Sequence, residues 1–256
     1  IYAVTGRDLA EAGIDLTSIY PRTLSLSNNG QAIPIIVEGN SDGVFDIDDR
    51  IVFLGSHNQG DNSFLSFYSD ANVYHLSWGG TPGFVFSQML AAPNGNETDT
   101  LDYAVNRIHF EQDRRYERLV GYSNGEDDHW FWDKMMDNQA FSSNVILPGL
   151  TSESTLMLSA KFHGLTQSAD VELNHHVVAS INDQIVGDGY GADKKQFSLR
   201  SARFKLDVIQ PQQKVKFELP LDIPDVVIDH AFLNWFEIEY DRSLKAVDDQ
   251  LVFQAE

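Results

Sequence analysis

The chain has 256 residues, of which 42% are apolar and 11% aromatic, so it can build packed cores and is not disordered as a whole. It carries 38 acidic and 18 basic side chains, and the resulting net charge of −20 repels phosphate backbones and anionic membrane surfaces. We therefore expect no nucleic-acid partner. Divalent cations that prefer hard oxygen ligands are favoured instead.

Cysteine is absent, which rules out disulfides, thiolate nucleophiles and zinc–thiolate sites. No apolar run approaches the ~18–20 residues that a membrane span requires, so no span is expected. The sequence begins at Ile1 without a signal-like segment, and we expect it to be a mature or excised piece of a secreted protein. A secreted protein without disulfides is more typical of bacteria than of animals.

One short helix is predicted near the start of the chain, over residues 7–12. Thr5 and Asp8 have the spacing of a capping box, and Gly13 is a stop signal. The charged segment 111–119 allows a second helix without requiring one.

The clearest local motif is an acidic loop over residues 38–49, with the spacing of a twelve-residue EF-hand-type calcium loop. Gly43 falls at position six, where such a loop turns sharply, and Phe45 at position eight would anchor it to the core. Oxygen ligands are expected at positions one, three, five, seven, nine and twelve. The predicted calcium ligands are Glu38, Asn40, Asp42, the carbonyl of Val44, Asp46 and Asp49.

Two features depart from a calcium loop. Position one is Glu38, whose longer arm misplaces a ligand usually supplied by Asp. The flanking residues 33–37 and 50–54 have the composition of strands rather than helices. The alternative is an acidic, solvated hairpin turn whose Asp-Gly pair supplies only turn geometry. The sequence leaves both interpretations open, and Ca²⁺ is the one cofactor it suggests.

Alternation of apolar and polar residues with a period of two dominates the rest of the chain. It is clearest over residues 155–162, 171–181 and 214–221, and it predicts half-buried antiparallel strands. Turn residues such as Asn182-Asp183 separate these segments. The predicted fold class is therefore all-β with minor helix.

A polar stretch with Pro and Gly, residues 92–99, predicts a domain boundary. We predict a small, mixed β-rich domain over residues 1–92, a linker and connecting segment over 93–118, and a jelly-roll-like β-sandwich over 119–256. The last region has about eight predicted strands, which suits a sandwich or jelly roll.

Two tryptophans are candidate ligand-binding residues. Strand alternation would place Trp130 and Trp132 on one face, and an exposed pair of indole rings is a good stacking surface for sugars. The alternative is that both rings fill the core, because tryptophan is buried on average.

Neighbouring histidines and a glycine-rich string have structural explanations. His175 and His176 should point to opposite faces of a strand, so they cannot easily chelate one ion; we expect His175 in the core and His176 at the surface. Residues 187–191 lack the context of a phosphate-binding loop and predict a β-turn.

The sequence carries none of the common catalytic signatures. The chain has no Gly-x-Ser-x-Gly, no His-Glu-x-x-His and no cysteine nucleophile, so no residue is assigned a catalytic role and the chain is not expected to be an enzyme on its own.

Ten segments carry a resemblance to a known family: residues 1–5 (IYAVT), 8–9 (DL), 12–13 (AG), 19–26 (IYPRTLSL), 42–46 (DGVFD), 49–55 (DRIVFLG), 74–78 (YHLSW), 130–132 (WFW), 180–184 (SINDQ) and 233–242 (LNWFEIEYDR). In these the chain resembles the non-catalytic N-terminal region that precedes the catalytic domain in gingipain-like (family C25) cysteine peptidases. That family includes the sortase-like component of the type IX secretion system in Bacteroidetes.

The resemblance implies an accessory region of a secreted peptidase, used for folding, anchoring or substrate presentation. It implies a secreted or cell-surface location, associated with the outer membrane, and a partner that is a downstream peptidase domain or a cell-surface protein. The family's catalytic Cys and His lie downstream of such a region, and residues 251–256 would be a strand continuing into the longer parent. The competing hypothesis is a carbohydrate-binding β-sandwich module with a glycan as partner.

Overall fold

The computed structural model is nearly all β, which confirms the predicted fold class. Strands account for 44% and helices for 7% of the described residues. No helix within those residues is long and apolar enough to cross a membrane. The structure describes residues 1–60, 64–66, 69–86, 102–118, 129–246 and 251.

The chain forms two compact units, Ile1–Asn96 and Glu97–Glu256. The predicted boundary stretch 92–99 lies outside the described residues, as do residues 252–256 of the predicted last strand. The domain limits drawn from the sequence therefore stay a prediction.

The elements of the first unit are β1 (Tyr2–Thr5), α1 (Gly6–Glu11), β2 (Ser25–Asn28), β3 (Gln31–Ile33), β4 (Ile35–Glu38), β5 (Arg50–Phe53) and β6 (His75–Ser77), with 3-10 helices at Leu16–Ser18, Pro21–Thr23 and Asn40–Asp42. In this part of the described chain, the strands form two three-stranded antiparallel sheets, with strand orders β1-β5-β4 and β3-β2-β6.

Helix α1 begins with the predicted capping box. The Asp8 amide donates to Thr5 Oγ1 at 3.1 Å, and the Thr5 amide donates to the Asp8 carboxylate at 2.8 Å. These contacts satisfy amides that would otherwise be unpaired at the start of the helix. Gly13 follows the helix as the predicted stop.

The first unit has its own apolar core, to which α1, the strands and the acidic loop contribute. Its buried residues are Leu9, Ile19, Leu24, Leu26, Ile35, Phe45, Ile51 and Phe53.

Within the described residues, the second unit contains two large antiparallel sheets, of five and four strands, that face each other across a larger core, and one small two-stranded sheet. The strands are β7 (Tyr103–Glu111), β8 (Arg115–Tyr116), β9 (Trp130–Phe131), β10 (Asp133–Met136), β11 (Ala140–Val145), β12 (Leu156–Gly164), β13 (His175–Ile181), β14 (Gln184–Gly191), β15 (Gln196–Arg200), β16 (Gln213–Glu218) and β17 (His230–Ser243). The larger sheet has the order β10-β17-β12-β15, with β7 pairing along the same edge of β17 as β10, and the four-stranded sheet has the order β11-β16-β13-β14.

Strand β7 lies within the residues expected to form a linker and connecting segment. It pairs with β17 over nine residues, and Ile108 and Phe110 pack against the core. The possible helix over 111–119 does not form in its described part, residues 111–118, where the short strand β8 pairs with β9.

The alternating segments form the centre of the sandwich, as their period predicts. Leu158 and Phe162 on β12, Val177 on β13 and Phe217 on β16 are all fully buried. Strand β13 is shorter than its pattern indicated, because it begins only at His175.

The glycine-rich string is a strand rather than the predicted β-turn. Its alternate glycines let β15 pass closely over β14: a Cβ atom on Gly191 would lie 2.4 Å from the Phe197 ring, and one on Gly189 would lie 3.0 Å from Leu199. The glycines are therefore required by packing between backbone and side chains.

Replacing these glycines should destabilise the sandwich in a graded way. Gly191→Ala should lower the free energy of unfolding by about 1–3 kcal/mol, the usual cost of overpacking a core. Gly187→Ala is the matched control, because its Cβ would lie 3.3 Å from Ser201. Chemical denaturation of both variants measures the difference. Equal effects would contradict the close approach of Phe197.

Candidate functional site

The predicted calcium loop connects β4 to β5 as an irregular turn. Gly39 and Gly43 have φ angles of 96° and 83°, and they flank the 3-10 helix Asn40–Asp42. These left-handed conformations favour glycine, which explains both residues. Because strands flank the loop on both sides, it lacks the helix–loop–helix frame of an EF-hand.

The two ends of the loop are occupied by contacts within the protein. Glu38 forms an ion pair with Arg50, which lies opposite it on β5. The buried Asp49 accepts a hydrogen bond from the Asp46 amide at 3.1 Å and lies against Gly39. Both carboxylates therefore already have partners within the protein and do not need a metal ion.

The middle of the loop closes on its own amides. Asp42 Oδ1 accepts from the Val44 amide at 3.0 Å, and Asp46 Oδ1 accepts from the Asp48 amide at 2.9 Å. These are side-chain turns of the kind that Asp stabilises without a metal. Across the described parts of the chain, no three His, Asp or Glu side chains are arranged to hold a metal ion. The predicted ligands thus do not converge in this structure, and calcium binding stays a prediction.

The expected anchor of the loop is confirmed. Phe45 is 1% exposed and belongs to the core of the first unit. The Asp49 carbonyl accepts from the Gly6 amide at 2.8 Å, which ties the end of the loop to α1.

Trp132 fills the core of the second unit, as the alternative interpretation has it, so the two tryptophans do not form an exposed pair. Trp132 is 4% exposed and stacks on Phe236 with ring centroids 5.4 Å apart. Trp130 is partly exposed and contacts Tyr116. The strand is interrupted between the two rings, because β9 ends at Phe131 and β10 begins at Asp133. Between them, the Trp132 amide donates a hydrogen bond to the Leu233 carbonyl. Ligand binding at Trp130 stays a prediction.

His175 is buried, as expected, and is surrounded by hydrogen-bond acceptors. Its Nδ1 lies 2.6 Å from Asp229 Oδ1, and its Nε2 lies 2.8 Å from the Asp193 carbonyl and 3.2 Å from that of Thr166. A neutral imidazole donates from one nitrogen only, so the imidazolium alone satisfies both sides. Burial disfavours that charge, but the hydrogen bond and the charge of Asp229 outweigh it, and the pKa of His175 is raised.

His176 is also buried, although a surface position was expected. Its imidazole Nδ1 lies 2.7 Å from Asp222 Oδ1, and its ring is parallel to that of Tyr190 with centroids 4.4 Å apart. The tyrosine covers the outer face of the sheet here, and alternation along one strand cannot show such a cover.

The comparisons with known proteins concern the fold. No protein-family model matches the chain, and no curated protein has a significantly similar sequence. The crystal structure of dimeric latent PorU from Porphyromonas gingivalis matches with a TM-score of 0.64 and 13% identity. The match covers 95% of this chain but 23% of that one, so this chain spans about a quarter of PorU. At this identity the likeness shows a shared fold.

Two carbohydrate-binding modules match half of the chain. One is the CBM36-1 domain of a multidomain xylanase from the hindgut metagenome of Trinervitermes trinervoides, with a TM-score of 0.35, 11% identity and coverage of 52% of this chain and 96% of that one. The other is a CBM36 in complex with calcium and xylotriose, with a TM-score of 0.33, 13% identity and coverage of 52% and 98%. Both scores are below 0.5, so neither likeness supports a conclusion about this chain.

Calcium binding by the loop can be tested by melting. If the loop binds the ion, EDTA should lower the melting temperature of the first unit and calcium should restore it. The reason is that binding to the folded state adds roughly 2.7 kcal/mol to the free energy of unfolding when free calcium is 100 times the dissociation constant. Asp42→Ala should remove this response, whereas the exposed Glu11→Ala should keep it. If neither EDTA nor calcium changes the melting temperature of the wild type, the loop does not bind calcium and is an acidic turn.

The buried imidazolium makes stability depend on pH. Because the folded pKa of His175 is raised, its contribution is fully present below the unfolded pKa of about 6.5 and is lost as the pH rises through the folded value. The melting temperature of the second unit should therefore fall over that window, and His175→Gln should flatten the fall. His230→Gln, at a partly exposed histidine, is the control. Nitrogen NMR that finds a neutral His175 ring below pH ~6 would contradict the assignment.

Proposed function

We propose that the chain is a non-catalytic accessory region of a secreted, gingipain-like cysteine peptidase. The supporting observation is the fold likeness to latent PorU over 95% of the chain. In this proposal the region helps a peptidase domain elsewhere in the same protein to fold, to be anchored or to receive its substrate. Its location would be the cell surface or the medium.

Several of the residues that carry the resemblance have structural roles. Ile51 and Phe53 lie in the core of the first unit, while Trp132, Phe236 and Tyr240 lie in the core of the second. These five residues therefore serve packing within each unit.

The chemistry of a cysteine peptidase would have to come from another part of the protein, because these 256 residues contain no cysteine. A thiolate is the nucleophile of such enzymes. This absence fits an accessory role beside a separate catalytic domain, which would be the principal partner.

The alternative function is glycan binding by a pair of tryptophans. Trp132 does not offer a ring face for it, because its ring is enclosed in the core. Stacking on a sugar needs an accessible ring face. Trp130 alone keeps part of its surface exposed.

Deletion from the full-length protein tests the accessory role. Removing residues 1–256 should reduce the peptidase activity that reaches the cell surface or the medium. Supplying residues 1–256 as a separate chain should restore part of it. The matched control is the same chain carrying Phe236→Asp, which buries a charge in the core and should prevent folding. Unchanged secreted activity after deletion would overturn the proposal.

A further inference from the structure

Tyr190 lies flat on the outer face of the four-stranded sheet, with one face of its ring open to solvent. It is on β14, directly opposite His176 on β13. The two rings are parallel to within 1°, and their centroids are 4.4 Å apart. Because the imidazole covers one face of the phenol ring, the 48% exposure of Tyr190 comes from the other face and the edges.

Two exposed carboxylates flank the stacked rings. The His176 imidazole pairs through Nδ1 with Asp222 Oδ1 at 2.7 Å and through Nε2 with Asp188 Oδ2 at 3.4 Å. The side chain of His176 is 9% exposed, whereas those of Asp188 and Asp222 are 56% and 54% exposed. A carboxylate can accept about four hydrogen bonds. Since the contacts with His176 use one oxygen of each carboxylate, both keep acceptor sites that face the solvent.

The surroundings of the Tyr190 ring are negatively charged. Two carboxylates outnumber the single imidazole, so the group is negative whether or not His176 carries a proton. Desolvation and the charges of Asp188 and Asp222 raise the pKa of the Tyr190 hydroxyl, which keeps the ring itself neutral. The net charge of −20 of the whole chain acts in the same direction. A cationic ligand is therefore favoured over an anionic one.

A guanidinium group matches both the ring and the carboxylates beside it. It is planar and stacks on aromatic faces, and its N–H donors point outward in its own plane. Stacked on the open face of Tyr190, it directs these donors toward Asp188 and Asp222, where charge-assisted hydrogen bonds can form. An ammonium group is a compact point charge and lacks this planar match.

A sugar fits the same surface less well. Its hydroxyl groups both donate and accept hydrogen bonds, whereas the carboxylates of Asp188 and Asp222 only accept. The N–H at Nδ1 of His176 is already donated to Asp222. The polar groups beside the ring therefore suit a ligand that only donates, which is the case for guanidinium.

We propose that Tyr190, Asp188 and Asp222 form a binding site for an arginine side chain of a partner protein. The arginine belongs to a polypeptide rather than to the free amino acid, because the negative charge of this chain repels a free α-carboxylate. Among the described strands, β14 pairs with β13 alone, so a partner segment can reach the ring from the edge of the sheet. The site lies apart from the acidic loop of the first unit and does not depend on the proposed function.

Titration of the isotope-labelled whole chain with a capped peptide that contains one arginine, acetyl-Gly-Arg-Gly-amide, tests the site. NMR should show saturable shifts of the Tyr190 ring and of the carboxylates of Asp188 and Asp222. The peptide with lysine in place of arginine has the same charge and should bind more weakly. Tyr190→Leu should weaken arginine binding by about 2–5-fold, as expected for the loss of an exposed cation–π contact. Asp188→Asn should weaken it by up to about 5-fold, as expected for an exposed ion pair.

The matched controls are Tyr103→Leu and Asp170→Asn, which remove an exposed ring and an exposed carboxylate elsewhere in the second unit. Both should bind the arginine peptide as the wild type does, and amide spectra should show that all four variants fold. The comparison of the two peptides on the wild type needs no variant. The proposal is overturned if the lysine peptide binds equally well, if Tyr190→Leu binds like the wild type, or if a control weakens binding as much. It is equally overturned if a neutral trisaccharide such as maltotriose shifts the Tyr190 ring and the arginine peptide does not.

Discussion

The second unit depends on the burial of one face of β17. This fourteen-residue strand pairs with β12 along one edge and with β10 and β7 in succession along the other. On its inward face, Phe236 contacts the rings of Phe110, Trp132 and Phe217, each from a different part of the chain. Full burial of one such side chain contributes about 1.5–3 kcal/mol to the free energy of folding. This aromatic cluster therefore holds strands from different parts of the chain together in one core.

Buried polar groups at one end of the sandwich connect segments that the apolar core does not hold. His175 joins the turn around Thr166, the turn around Asp193 and the residue preceding β17, Asp229. Asn174 adds to this by accepting from the Asp193 amide at 2.6 Å. Buried polar groups are tolerated only when they are paired, and here the pairing fixes three connections at once. The neighbouring His176 differs because one of its nitrogens has no hydrogen-bond partner.

Local signals in the sequence predicted local structure well. The capping box at Thr5 and the turn at Asn182-Asp183, whose φ angles are 51° and 67°, require only short-range contacts. Period-two patterns predicted the central strands because their inward faces carry the apolar core residues, although β13 is buried on both faces. The same reasoning missed β7, whose alternation is weaker, and β14, whose glycines are explained only by the strand that crosses them.

The candidate sites were harder to predict, because they depend on contacts between distant segments. A motif can give the spacing of oxygen atoms in residues 38–49, but it cannot show that Arg50 and backbone amides already occupy them. Alternation could not show that the strand breaks before Trp132. The approach of Asp222 to His176, 46 residues apart, has no signal in the sequence.

We propose that these 256 residues form a framework for a peptidase whose catalytic groups lie elsewhere. The most direct measurement is the sequence of the gene beyond the codon for Glu256. We expect an open reading frame that continues into a domain containing a cysteine and a histidine of a gingipain-like peptidase. A stop codon directly after Glu256, or a following domain without such a cysteine, would contradict it.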